Sequence, residues 1–192
     1  MTIWLISDTH FGHANILKFT DASGNRIRPK FDSVKEMDDY ICSQWADRVK
    51  PQDHIYHLGD VTMGSHLGMI KGLPGHKRLL LGNHDKLKMT EYMAAGFQKI
   101  TVTRKFDEVI CSHYPLHTSS LHGKMIGNIH GHIHEKQLDD PRYLNVSVER
   151  TEYAPIPLDD CIKIIKDRLE RNLNIQHGVE RFKKLCDYLE KH

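Results

Sequence analysis

The chain has 192 residues, 39% of them hydrophobic, enough for the core of one soluble globular domain. Its 27 Lys and Arg nearly balance 25 Asp and Glu, and the net charge of +2 argues against a protein that coats duplex nucleic acid by bulk charge. The outlying count is 15 histidines, which directs the search to metal-ligand spacing.

Cys42, Cys111, Cys161 and Cys186 are far apart with no Cys-x-x-Cys pair, which excludes zinc-ribbon and thioredoxin-like readings and fits a reducing compartment. The N-terminus runs straight into Ile3-Trp4-Leu5-Ile6 without the basic and apolar regions of a signal peptide. No apolar run approaches the roughly 20 residues of a membrane span, so a cytoplasmic protein without membrane partners is expected.

In chain order, Ile3 to Ile6 predicts a buried strand ending at Ser7-Asp8-Thr9-His10. Extended geometry through Thr9 would put Asp8 and His10 on one face at the strand's carboxyl end, as two ligands of one metal; a helix-capping Asp beside an incidental His is the alternative. Residues 11–17 predict a short helix. Residues 21–31 predict an exposed turn or hairpin whose Arg26, Arg28 and Lys30 form a basic edge, read either as a phosphate-steering rim or as ordinary solvated charge. Ser33 to Val49 places Val34, Met37, Ile41, Trp45 and Val49 on one face behind a Ser33/Glu36 capping box, and predicts an amphipathic helix.

His54 to Leu58 predicts a second strand closed by Gly59-Asp60; the opposite parity of His54 and His57 makes both structural. After a weakly periodic stretch from Gly64 to Gly75, the three leucines of Leu79-Leu80-Leu81 end a third strand at Gly82-Asn83-His84-Asp85, which taken alone reads equally as a turn or as a site. A helix at 89–95 and strands at 97–102 and 109–112 follow, the last closed by His113. Leu116 to Lys124, with His117 and His122, predicts a loop over the site, and His132 and His134 would share a face of an extended segment. Tyr143 to Val148 predicts a last core strand, and about 159–170 and 178–190 predict two amphipathic helices packed on a single domain spanning 1–192. Alternating strands and helices make the fold class α/β.

Asp8, His10, Asp60, Asn83, His113, His132 and His134 thus gather at the ends of apolar runs. Seven oxygen and nitrogen donors exceed the needs of one catalytic ion but suit two ions with a bridging carboxylate, and donors without thiolate suit manganese, iron, zinc or nickel.

Read as Asp8-Thr9-His10, Gly59-Asp60, Gly82-Asn83-His84-Asp85, His113 and Gly131-His132-Ile133-His134, the chain resembles the calcineurin-like metallophosphoesterases, whose motif set is present in full and in order. The resemblance implies a four-layer sandwich, two packed mixed β-sheets flanked by helices. It further implies that Asp8, His10 and His134 hold one divalent ion, that Asn83, His113 and His132 hold the other, that Asp60 bridges them, and that His84 is catalytic with Asp85 orienting it. Two such ions, manganese first among the candidates, would supply hydroxide at neutral pH for in-line attack on phosphorus, with His84 protonating the leaving oxygen or stabilising charge on the phosphate. The expected reaction is phosphate-ester hydrolysis, diesters favoured. Cyclic nucleotides, other nucleotides, small diesters and nucleic acid are substrate candidates, nucleic acid as substrate only. A phosphomonoesterase or nucleotidase, and a non-catalytic scaffold of the same fold, are the alternatives. His13, Arg26, Arg28 and His117 are the tentative substrate contacts. Lys86, Arg104 and Lys124 are weaker candidates, as easily solvated surface.

Overall fold

The computed structural model describes residues 1–64 and 66–189, with side chains described up to Leu173 apart from that gap. Strand β1 (Ile3–Ile6) pairs in parallel with β2 (His54–His57), which pairs in parallel with β3 (His76–Leu80), and β3 pairs in parallel with β4 (Phe97–Thr101). Short β9 (Ile156–Pro157) adds an antiparallel edge to β1, giving a five-stranded sheet of order β4-β3-β2-β1-β9. From β4 the chain passes directly into β5 (Thr103–Lys105), the antiparallel edge of a second sheet completed by parallel β6 (Val109–Ser112), β7 (Gly127–His130) and β8 (Tyr143–Asn145). Both sheets are mixed, as the family resemblance implies, and β5 and β9 are additions to the expected set.

The side-chain period of two divides the core. Ile6, Ile55 and Leu79 pack with Met37, Ile41 and Trp45 of α1 (Val34–Arg48), Ile70 of α2 (Gly68–Lys71) and Tyr92 of α3 (Met89–Ala94). Their neighbours Leu5, Tyr56 and Leu80 point the other way, into a second core with Val109, Cys111, Ile129 and Leu144 of the opposing sheet. Burial on both faces is why β1 reads as a continuous apolar run and β3 ends in one. Leu81, the third leucine, lies beyond β3 and is half-buried.

Helix α1 begins where the sequence predicts, with Ser33 Oγ accepting from the Glu36 N–H at 3.2 Å, a cap worth about 1 kcal/mol. Residues 14–18 form a 3-10 helix, and the weakly periodic stretch yields only the single turn of α2. The last predicted strand stops at Asn145 and is followed by a 3-10 turn at 148–150.

The tail departs from expectation. In place of two helices, the backbone from Leu158 to Leu189 is one helix, α4, which runs through Asn174 to Gly178. One interior glycine costs about 1 kcal/mol relative to alanine, too little to break a helix whose neighbours favour it. Leu158, Cys161 and Ile165 of α4 join the core between the sheets. The expected packing of 178–190 lies outside the residues whose side chains are described. No described helix is long and apolar enough to cross a membrane.

Candidate metal centre

Parallel register brings strand ends level: Ile6 pairs with His57 and His57 with Leu79, so the chain leaves β1, β2 and β3 at one edge of the first sheet. β6 and β7 leave the second sheet toward the same place. A parallel bridge between Ser7 and Ser147 joins the two sheets there, the Gly131 N–H donates to His113 O at 3.0 Å, and the His132 N–H reaches the Asp8 carboxylate at 3.0 and 3.2 Å. Backbones at this junction pass too close for a side chain. A Cβ on Gly131 would lie 2.0 Å from Ser7 Oγ and 2.2 Å from Asp8 Oδ2, and one on Gly82 would lie 2.3 Å from Asp60 Oδ1.

Two donor groups result. Asp8, His10 and His134 bring ligand atoms within 4.8 Å of one another, and Asp60, His113 and His132 do the same. The His10 and His134 rings stack at 5.2 Å. Asp60 Oδ2 stands between the groups, 3.6 Å from His10 Nε2 and 3.4 Å from His113 Nε2. Asn83 Oδ1 joins the second group at 2.9 Å from His113 Nε2. All seven residues named from the sequence are therefore brought together.

The chemistry of the donors fits divalent cations. Leu58 O can only accept, so at 2.8 Å it fixes the proton of neutral His113 on Nδ1 and turns the Nε2 lone pair toward Asp60 Oδ2 and Asn83 Oδ1. Three electron-pair donors then face one another, an arrangement a shared cation relieves. Both ring nitrogens of His10 are buried without a hydrogen-bond partner, and burial first, then Arg28 and the neighbouring imidazoles, keep it neutral at any ordinary pH. Burial raises Asp60 above the usual carboxylate range, with Asp8 and Asp85 adding to the shift, against the pull of His113 and the His84 N–H. Burial and His113 lower His132. His134 goes the other way: burial lowers it, but the hydrogen bond and charge of Glu149 outweigh burial and raise it.

The backbone reaches this geometry by an unexpected route. Asp8 (φ 58°), His10 (φ 49°), Asp60 (φ 57°), His132 (φ 72°) and His134 (φ 51°) are all left-handed, a region that L-residues occupy at a cost and that clusters at functional sites. Asp8 and His10 do not share the face of an extended segment, nor do His132 and His134. Each pair converges because two left-handed residues flank one ordinary residue.

His84 sits beside the first group, its ring 5.5 Å from that of His10, with its N–H donating to Asp60 Oδ1 at 2.8 Å. Asp85 does not orient the His84 ring. Its Oδ2 accepts from the N–H groups of Asp60 and Gly82, both at 2.8 Å, and its Oδ1 accepts from the Val61 N–H at 3.0 Å and Tyr92 Oη at 3.3 Å. A carboxylate so engaged clamps the Asp60 turn.

The tentative substrate contacts divide. His13 lies at the margin of the site, 5.5 Å from His10, and burial lowers its pKa, followed by Arg28 and the neighbouring imidazoles. Arg26 is spent on its own loop, donating to Phe31 O, Pro29 O and Asp32 at 3.0–3.2 Å. Arg28 is fully buried and cannot meet a substrate. His117 caps the 118–120 turn by accepting from the Ser119 N–H, and with Leu138 and Tyr143 lines a groove whose walls include none of the seven donors. Its loop lies along β7 and β8, tied there by Asn128 and Tyr143. His57, expected to be structural, is buried and bonded to Thr9 Oγ1.

Three residues of the site went unflagged by sequence. Ser147 Oγ donates to Asp8 Oδ2 at 2.9 Å, Glu149 Oε1 accepts from His134 Nδ1 at 3.0 Å, and the Tyr114 ring lies 4.5 Å from that of His132. None lies in a ligand-like spacing.

Two mixed sheets whose strand ends carry two adjoining donor groups define a metal-binding α/β protein. The calcineurin-like phosphoesterase family model matches residues 1–189, and the chain belongs to that family. An uncharacterized protein of Methanocaldococcus jannaschii is 32% identical over 194 residues, covering 90% of this chain and 96% of that relative. The gene 66 protein of mycobacterium phage D29 is 25% identical, with 86% of this chain and 96% of the phage protein covered. The crystal structure of a protein of unknown function from Aquifex aeolicus superposes with a TM-score of 0.66 at 27% identity, covering 85% of this chain and 98% of that one.

Proposed function

We propose that this chain is a two-metal phosphoesterase that hydrolyses phosphate esters, phosphodiesters in preference to monoesters. The observation that carries the reading is the position of Asp60 Oδ2, within 3.6 Å of an imidazole nitrogen from each donor group, with His84 alongside. Asp8, His10 and His134 would hold one ion and Asn83, His113 and His132 the other, with Asp60 shared. Such ions, with manganese the first candidate and iron, zinc or nickel the others, would polarise a phosphoryl oxygen and acidify water toward neutrality.

The chain supplies the rest. Leu58 and Glu149 fix which nitrogen of His113 and His134 is free, so these ligands are oriented before a substrate arrives. The main-chain N–H of His84 is anchored on Asp60, which keeps the imidazole beside the first group, where it can protonate a departing alkoxide or stabilise charge on the phosphate. A leaving group that needs a proton is typical of unactivated diesters, and this favours them over activated monoesters. His13 at the margin, its ring 5.5 Å from that of His10, is a further imidazole that a bound phosphate could meet. Cyclic nucleotides, small diesters and single strands of nucleic acid all present the required group.

The test is a panel of cyclic nucleotides, oligonucleotides, a chromogenic diester and phosphomonoesters, assayed with manganese. Hydrolysis of diesters ahead of monoesters is expected. His84→Ala should keep both ions and lose roughly 10²- to 10⁴-fold in turnover. Protein inert with every divalent ion would support a scaffold instead, and equal activity of His84→Ala and wild type would remove His84 from the chemistry.

A further inference from the structure

Arg28 and Glu149 lie 121 positions apart and belong to none of the family's motifs, yet their side chains meet at the back of the first donor group, with 0% and 2% of their surface exposed. The guanidinium is fully engaged. Nε and Nη2 both reach Glu149 Oε1 at 2.8 Å, Nη2 also donates to Asp8 O at 2.6 Å, and Nη1 donates to Thr9 O at 3.0 Å and contacts Met37 Sδ at 3.1 Å. Glu149 Oε1 in turn takes the Nδ1 proton of His134 at 3.0 Å.

A guanidinium only donates, and ionised carboxylates and carbonyls only accept, so the direction of every bond is fixed. Arg28 holds the carbonyls of a turn in which Asp8 and His10 are left-handed. Glu149 sets the His134 tautomer that leaves Nε2 free. One ion pair therefore ties the Asp8–His10 turn to the His134 loop, and so reaches all three members of the first group. A buried ion pair is not in itself stabilising, because desolvation offsets much of the attraction and well-packed apolar residues often do as well. What apolar residues could not reproduce here is the orientation of a ligand.

We propose that Arg28 and Glu149 are a positioning pair for the Asp8/His10/His134 metal position: without their hydrogen bonds that position weakens while the Asp60/Asn83/His113/His132 position is spared. The proposal rests on the reading of these residues as ligands of two ions. The second group has its own support, the neutral carbonyl of Leu58 behind His113 and the Asp85 clamp behind Asp60. Loss of the pair should therefore be felt at one position only.

The experiment is calorimetric titration of manganese into metal-free protein, alongside thermal unfolding of the same samples. Glu149→Gln leaves a buried guanidinium without its counter-charge and is expected to unfold at lower temperature. The double variant Arg28→Met with Glu149→Leu removes both charges at similar volume and restores an apolar interior. For the folded double variant, one of the two binding steps is expected to weaken about 10- to 100-fold, the usual effect of losing an outer-shell partner, with the other unchanged. A double variant that melts like wild type and binds both ions as tightly as wild type would show that the pair is packing alone and overturn the proposal. Wild type that takes up no ion would overturn this proposal and the proposed function together. Two ions bound without hydrolysis of any ester would sink the function and leave the positioning role standing.

Discussion

The two donor groups do the same job with different scaffolding. The Asp60 group is braced from inside its own motifs: Asp85 accepts the Asp60, Val61 and Gly82 N–H groups, His84 donates to Asp60, and Leu58 fixes His113. The Asp8 group is braced from outside, by Arg28, Ser147 and Glu149. The first arrangement ties Asp60 and His113 to main-chain and carboxylate groups within or next to the motif segments; the second depends on charged and hydroxyl side chains outside every motif. One consequence is that the groups should fail independently, except at Asp60 and at Asp8, whose carboxylate accepts the His132 N–H.

The largest effect is therefore expected at Asp60, where the comparison breaks down. Asp60→Ala should abolish uptake of both ions and lower turnover roughly 10³-fold or more, measured by metal analysis beside the diester assay. One retained ion would mean that the carboxylate is not shared.

Asp85 probes the locally braced group. Asp85→Ala strips the acceptor from three main-chain N–H groups, and a loss of about 2–4 kcal/mol is expected in denaturant unfolding. Because the hydrogen bonds of the Asp85 carboxylate go to Asp60, Val61, Gly82 and Tyr92 and not to the His84 ring, the folded, metal-loaded fraction of this variant should lose far less turnover than His84→Ala. A loss as large as that of His84→Ala would restore Asp85 to the orienting role that the family resemblance implies.

These differences decide what could be read from the sequence. Strand ends were legible because an apolar run followed by Gly or a ligand-type residue is a local signal, and the Asp85 and His84 contacts to Asp60 lie inside Gly59-Asp60 and Gly82-Asn83-His84-Asp85. Arg28 was not, since nothing in the spacing of 21–31 separates it from Arg26; tertiary burial alone makes one a brace and the other a loop tie. Glu149 likewise follows a strand without any ligand spacing. Pairing of Asp8 with His10 and of His132 with His134 was legible, but for a different geometry: alternation along an extended strand and a pair of left-handed residues around one ordinary residue both bring positions two apart together. Strand β5, exposed at all three residues, and β9, of two residues, carry no period to read. The sequence reads Asn174 to Gly178 as a break between two helices because Asn and Gly are poor helix formers, whereas the backbone carries one helix through them.

The last effect appears only in acid and concerns His57, which bonds to Thr9 of the Asp8 turn. Thr9 Oγ1 gives its proton to Val61 O, so His57 Nε2–H donates to Thr9 and the neutral ring is the form that fits. Burial lowers its pKa from 6.5 to about 3. The unfolded chain takes up this proton near pH 6.5 and the folded chain does not, so the contribution is whole above 6.5 and is lost as pH falls toward about 3. In that window the folding equilibrium should drop by about tenfold per pH unit from this group. His57→Gln should flatten that part of the stability curve, and an unchanged slope would assign the acid sensitivity elsewhere.

The central claim is two adjoining metal positions that share Asp60. Anomalous diffraction from a crystal of the manganese-loaded protein tests it most directly. Two peaks are expected, one among Asp8, His10 and His134 and one among Asn83, His113 and His132, with Asp60 touching both. A single peak, or peaks away from Asp60, would contradict it.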